Sequence, residues 1–434
     1  MPNIFAAPAL AGLLAMPAAS GSPALAPIDA LYPDLAAFYM DLHRNPELSK
    51  HEERTSARVA DRLRSLGYEV TDHVGGFGVV AVMKNGKGPT LLLRADMDAL
   101  PVLEKTGLPY ASHVIEKDDT GTAVPVMHAC GHDVHMTSLV GAAALLARAR
   151  NLWRGTLVLV GQPAEEGGSG ASAMLKDGFL ARFPRPDFAI ALHDDPRMPA
   201  GEVGFTAGFA YANSDSVDIT IYGRGGHGSA PQNTVDPIVI AARTILALQT
   251  IVSRENSPFD PTVITVGRIQ GGTKRNIVPD EVRLEVTVRT YKPEVQDRVL
   301  AAIERIARAE AVAAGAPKEP LVRIEKGYTA TYNDPSLTRR IASAMTKAFG
   351  SGRVVELPPI MASEDFGDFG RAANAPYIEF ALGATPAEKL EAAHGDATKV
   401  PGLHSSEFAP DPEPTLKAGA AALTVAALEI LGRK

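Results

Sequence analysis

The sequence predicts an α/β protein: a larger domain on a mixed, mostly parallel sheet flanked by helices, with a smaller α+β domain inserted in it. Three observations predict this. Short, almost wholly apolar runs such as 156–160 and 188–192 suit strands buried on both faces. These runs alternate with helical segments through the first half of the chain. Near Ala212 the pattern changes to alternating strands and helices in the order β-α-β-β-α-β, which suits a separate small unit. A chain of 434 residues also exceeds one ordinary hydrophobic core.

Segments 34–44 and 52–66 read as helices; Ser49 and Glu52 have the spacing of a capping box for the second, and Gly67 ends it. Segments 78–83 and 90–94 read as strands around Asn85-Gly86, a hairpin signal. Residues 130–148 read as a helix. Beyond Ala212 come a strand at 215–222, a helix at 236–253, strands at 262–269 and 281–290, a helix at 294–314 and a strand at 321–326. The expected division is therefore a larger domain of 28–211 plus 327–434 and an inserted domain of 212–326.

Residues 1–27 differ from the rest. Positions 4–19 are mostly apolar but broken by Pro8 and Pro17, and Ala18, Ala19 and Ser20 follow, as in a secretory signal peptide. The first Lys or Arg is Arg44, so the usual basic start is missing. Export to the periplasm or medium is the expectation, with a cytoplasmic protein as the alternative. The apolar run is too short and too Pro-broken to span a membrane, and no other stretch reads as a span. Net charge is −7 with no basic tail or stripe, which argues against nucleic acid as a partner. The single cysteine, Cys130, excludes an intrachain disulfide.

In open α/β sheets, sites lie beyond the carboxyl ends of the strands. Asp96 and Asp98 follow one apolar strand, Glu165 and Glu166 another, and His193 a third. Cys130 and His132 open a helix, and His404 comes late in the chain. Each alone has an ordinary reading: a lone cysteine is usually packing, a strand-end histidine can be a satisfied core group, and a Glu pair can be a solvated one. Their shared position at strand ends favours a site. Cys, His and Glu are ligand types for divalent transition metals. Five candidates, Cys130, His132, Glu166, His193 and His404, serve two metals only if one bridges, and a thiolate can. Glu165, beside a ligand, suits a general base. Gly223-Arg-Gly-Gly-His-Gly228 matches a dinucleotide-binding pattern only formally, since no acidic residue follows about 20 positions on.

Six motifs in order resemble a known family. They are Arg94-Ala-Asp-Met-Asp-Ala-Leu-Pro101, Met127-His-Ala-Cys-Gly-His-Asp133, Gln162-Pro-Ala-Glu-Glu-Gly-Gly168, Gly225-Gly-His-Gly-Ser-Ala-Pro231, Met361-Ala-Ser-Glu-Asp-Phe366 and Leu403-His-Ser405. The family is peptidase family M20, the aminoacylase and carboxypeptidase G type, in the branch of hippurate, N-acyl-amino-acid and auxin-conjugate hydrolases. The resemblance implies two divalent ions (Zn, Mn, Co or Ni), with Cys130 bridging, His132 and His193 on one ion, and Glu166 and His404 on the other. It implies Glu165 as the base and Asp98 as a carboxylate that orients the site from behind the ligands. It also implies His227 as a stabiliser of the tetrahedral oxyanion, and Asn276 and Arg289 as contacts for the substrate carboxylate. The expected activity is hydrolysis of the amide of small N-acyl amino acids, with a dipeptidase or carboxypeptidase as the alternative, in a homodimer or higher homo-oligomer formed through the insert. A catalytically silent metal-binding protein is the rival from another class, and the free carboxylate of Glu165 argues against it. Asp194, Val134 and Ser406 depart from the family pattern beside these residues, which leaves substrate preference open.

Overall fold

A computed structural model describes residues 22–168 and 170–433. The expected leader falls mainly on 1–21, outside the described residues. Ala24 and Leu25 are already buried, and Leu25 packs into the main core.

The larger unit is an eight-stranded sheet. In chain order its strands are β1 (Glu69–Val74), β2 (Gly78–Asn85), β3 (Thr90–Asp96), β4 (Gly155–Gln162), β5 (Phe188–Pro199) and β6 (Val203–Phe205), joined after a long interval by β11 (Val354–Glu356) and β12 (Tyr377–Thr385). The spatial order is β1-β2-β4-β3-β5-β12-β6-β11. The central pairings β4–β3, β3–β5 and β5–β12 are parallel, as is β6–β11. Those of β1–β2, β2–β4 and β12–β6 are antiparallel. The hairpin expected at Asn85-Gly86 does not form: β4 lies between β2 and β3, and β2 pairs instead with β1, a strand too polar to read as one. Backbone pairing with an apolar central strand outweighs the local turn signal.

On one face, helices α1 (Ile28–Arg44), α3 (His132–Arg148), α6 (Pro335–Phe349) and α7 (Pro412–Leu431) pack with Leu35, Leu139, Ile341 and Leu423 over the sheet. On the other, Phe179, Phe366 and Phe369 cover Val158 and Ala189. Helix α2 (Glu53–Ser65) flanks the first strands. Its expected capping box is absent. The Glu47 carboxylate takes the amides of Arg54 and Thr55 at 3.0 and 2.7 Å, which frees Ser49 and Glu52 for contacts elsewhere.

The smaller unit is an antiparallel sheet in the order β8-β9-β7-β10, from β7 (Ser214–Tyr222), β8 (Val263–Gly271), β9 (Glu281–Arg289) and β10 (Leu321–Tyr328). Two helices, α4 (Pro237–Thr250) and α5 (Pro293–Ala313), cover one face. Val217, Ile219, Leu284, Ile240 and Ile303 form its own core. The Asp236 side chain caps α4 by accepting from the Ile238 amide. Helix α4 with its continuation to Glu255, and α7, are long and apolar enough to cross a bilayer by length and composition alone. Helix α7 is largely buried in the main core, which accounts for its composition, whereas α4 leaves Val239 and Leu246 exposed.

Candidate metal centre

The carboxyl ends of β3 and β4 and the middle of β5 converge on one cleft. Cys130 and Gly131, at φ +76°, lead into α3, so that His132 is its first residue. His193 lies within β5 rather than after it, because the strand continues to Pro199 beside β12. His404 sits in a loop at φ +64°, its amide donating to the Ala129 carbonyl at 2.7 Å.

Two sets of ligand atoms share one thiol. The Cys130 sulfur and ring nitrogens of His132 and His193 lie within 4.8 Å of one another. So do the Cys130 sulfur, a Glu166 oxygen and a His404 nitrogen. Ligands standing about 2.0–2.3 Å from a common ion must be gathered in this way.

Backbone carbonyls accept from Nδ1 of two of the histidines and leave Nε2 toward the site. His132 Nδ1 donates to the Asp98 carbonyl at 2.7 Å, and its Nε2 is buried without a hydrogen-bond partner. His193 Nδ1 donates to the Asp194 carbonyl at 2.9 Å, and its Nε2 faces Cys130 Sγ at 3.6 Å. Burial, then the neighbouring His135, keeps His193 below the usual imidazole range, which favours the neutral ring. Glu166 Oε1 lies 3.1 Å from His404 Nε2, yet no hydrogen bond satisfies that buried oxygen. Burial, and after it Glu166, pushes the Cys130 thiol well up. Orphaned ligand atoms and a thiol that needs nearby positive charge to ionise are what a divalent ion would relieve, so the residues fit a metal pair.

A further grouping, His132–Glu165–Glu166, puts Glu165 itself within 4.8 Å of two of these ligand atoms, and Asp96–His132–His135 and His135–His193–Asp194 are also close enough to suggest ligands. In the last two, however, both ring nitrogens of His135 are engaged, by Asp96 at 2.5 Å and Asp194 at 3.0 Å. They form the floor beneath the ligands. Below this floor the buried Arg94 donates to Asp96, Gln162, Glu364 and Asp365. The Glu364-Asp365 motif was legible in the sequence; its pairing with Arg94 across the sheet was not.

Glu165 lines the cleft beside Glu166. Burial, followed by the charges of Glu364 and Glu166, holds its carboxyl well above the usual range. Asp98 stands behind the ligands, its Oδ1 3.4 Å from His132 Nδ1. Its two oxygens accept the amides of Glu165 and Glu166 at 3.1 and 3.0 Å.

The cleft has a volume of about 740 Å³. Cys130, Glu165, Glu166, His193 and His404 line one wall; Arg289 of β9 and Tyr328 of β10 approach from the smaller unit. The Tyr328 hydroxyl donates to the Glu165 carbonyl. Tyr328 escaped the sequence reading because nothing in its local pattern marks a strand tyrosine as facing another domain. Arg289 is half-buried and donates to Ser363 Oγ at 2.8 Å. Asp195, Arg197, Tyr211 and Leu390 also line the cleft.

His227 and Asn276 are not brought to this cleft. They lie together on a short exposed ladder, Gly226–His227 against Ile277–Val278, where the Gly228 amide donates to the Asn276 carbonyl at 2.9 Å. The Ser229 amide donates to His227 Nδ1 at 3.1 Å. In the neutral ring the proton is then on Nε2, which points a donor outward.

A family model described as Peptidase family M20/M25/M40 matches residues 92–408. Over 330 residues the chain is 39% identical to the N-acetyl-L-cysteine deacetylase of Bacillus subtilis (strain 168), spanning 75% of this chain and 74% of that one. It is 39% identical over 332 residues to the hippurate hydrolase of Campylobacter jejuni, spanning 76% and 82%. Among solved structures, a dinuclear metal binding peptidase of Bacillus subtilis superposes with a TM-score of 0.74 at 29% identity, covering 93% of this chain and 100% of that one.

Proposed function

We propose, for a chain that belongs to peptidase family M20/M25/M40, that it hydrolyses the amide bond of N-acyl amino acids with two divalent ions held by Cys130, His132, His193, Glu166 and His404. The observation that carries the reading is the pair of ligand sets meeting at one sulfur, with the carboxyl of Glu165 beside them at the wall of the cleft. The relatives named for acting on N-acetylcysteine and hippurate support the substrate class.

Two divalent ions would supply Lewis-acid polarisation of the carbonyl and acidify water at neutral pH. The chain's own residues do the rest. Glu165 takes the proton from the attacking water and delivers it to the leaving nitrogen. The Asp98 carboxylate keeps the Glu165 and Glu166 amides in place, and the Tyr328 hydroxyl fixes the Glu165 carbonyl from the other domain. Arg289 receives the substrate carboxylate: among the described residues it has no ion pair, and its guanidinium lines the cleft. The acyl group then lies toward Tyr211 and Leu390. A panel of N-acetyl, N-benzoyl and longer N-acyl amino acids, with dipeptides as controls and each of Zn, Mn, Co and Ni, tests the reading. Turnover of dipeptides in preference to every N-acyl amino acid would replace it with the peptidase alternative.

Arg289→Ala should raise KM for N-acyl amino acids by about ten- to a hundredfold with little change in kcat, the size expected for one charge-assisted contact. An unchanged KM removes Arg289 from carboxylate recognition.

His227 completes the site of a second copy in this proposal. Within one chain it stands outside the cleft, and its outward donor suits the developing oxyanion. The exposed apolar face of α4, with Val239 and Leu246, and the open edge of β8, with Ile269, support a dimer through this unit. His227→Ala should lower kcat and leave the metals bound. Co-refolding His227→Ala with Glu165→Gln chains should restore activity, because one site of each heterodimer then has both groups. Heterodimers without recovered activity would exclude the trans arrangement.

A further inference from the structure

The turn that carries Glu165 and Glu166 is closed by two backbone hydrogen bonds of its own loop, from the Gly168 amide to the Glu165 carbonyl at 2.9 Å and from the Gly170 amide to the Ala164 carbonyl at 3.1 Å, and by contacts from other segments. Ala164, directly before the pair, adopts φ +49°, a left-handed conformation unfavourable for a residue with a side chain. Those loop bonds use the carbonyls of the turn and leave its amides to groups from outside it. The three successive amides of Ala164, Glu165 and Glu166 all donate to buried carboxyl groups from other segments. Glu165 and Glu166 use Asp98, and Ala164 donates to Glu52 Oε1 at 2.7 Å.

Glu52 lies just before α2, about a hundred residues from this turn in sequence. It is fully buried, and its Oε1 also accepts the Lys50 amide at 3.0 Å. Its Oε2 is buried and has no partner. Ser49, on the same segment, donates to Asp98 Oδ2 at 2.6 Å, so one stretch of chain touches both carboxyl groups. The fit against the turn is tight, since a side chain at Gly167 would press on Ser49 at 3.1 Å. The two residues whose spacing resembles a capping box are thus used here instead.

We propose that Glu52 is a positioning residue for hydrolysis: its carboxyl oxygen holds the left-handed Ala164 and thereby presents Glu165 and Glu166 to the cleft. The inference rests on the reading of Glu165 as base and Glu166 as ligand. Burial, and then the charge of Asp98, pushes the Glu52 carboxyl up to about 7. A glutamine, which keeps the accepting oxygen and resembles the protonated acid, is therefore the conservative replacement.

The test compares three variants by amide hydrogen exchange across 162–168, metal content, kcat and KM. Glu52→Met keeps the volume and removes the acceptor. It should speed exchange in this segment and lower kcat by about ten- to a hundredfold, the scale of one lost buried hydrogen bond to a carboxyl group. KM should move by less than about threefold and exchange in α3 should not change, which a general loss of stability would not spare. Glu52→Gln should restore both protection and kcat to within about threefold of wild type. Glu52→Asp withdraws the oxygen by one methylene and should resemble Glu52→Met; it replaces that variant if the methionine does not fold. Wild-type exchange and kcat in folded Glu52→Met or Glu52→Asp would overturn the proposal, as would Glu52→Gln being as impaired as they are. The exchange measurement is independent of the chemistry. If Glu165→Gln retained full kcat, the base reading would fall while the restraint of the turn by Glu52 would still be decided by exchange.

Discussion

Stripping divalent ions from the protein should abolish amide hydrolysis, and returning Zn, Mn, Co or Ni should restore it. The Lewis-acid contribution of such ions amounts to several kcal/mol, a factor on the order of a thousand or more in rate. The organisation of the ligands sharpens the expectation at Cys130. Its sulfur belongs to both ligand sets, whereas His193 belongs to one and His404 to the other. Cys130→Ala should therefore lower the metal content of both sites, while His404→Ala should mainly affect the site shared with Glu166. Elemental analysis after dialysis against a weak chelator reads the difference directly. Two tightly retained ions in Cys130→Ala would show that the cysteine is only packing, and full turnover in a verified metal-free preparation would remove metal chemistry altogether.

Glu165→Gln should retain both ions and lose at least about a hundredfold in kcat, the low end for a lost general base. The change is nearly isosteric. The hydrogen bonds that anchor residue 165 run through its backbone, to Asp98 and to the Tyr328 hydroxyl, so the turn should persist. Loss of activity together with loss of metal would mean that the roles of Glu165 and Glu166 are exchanged. Glu166→Gln is the control, since it should lower metal content at the site shared with His404.

The α/β class and most core strands were legible in the sequence, because burial on both faces leaves an unmistakably apolar run. Strand neighbours were not. Asn85-Gly86 is a sound local turn signal, yet β4, some seventy residues later, separates the two strands it should have joined. Pairing order depends on which apolar faces the helices can cover, a property of the whole sheet. Ser49 and Glu52 show the same limit: the spacing fits a local cap, while Glu47 caps α2 and the pair turns to Asp98 and the Ala164 amide.

By itself, the sequence determined the chemical inventory of the site: thiol, imidazole and carboxyl groups at strand ends, types that few functions other than metal binding would gather there. Tertiary structure alone decided how they are used. It placed one sulfur in both ligand sets, engaged His135 with Asp96 and Asp194 while leaving His132 Nε2 without a partner, and brought Tyr328 and Arg289 from the smaller unit to the cleft. It left His227 outside. The physical reason is that ligand type and backbone preference are local and can be read along the chain. Distance, burial and hydrogen-bond satisfaction are properties of groups far apart in sequence, and only the packed fold sets them.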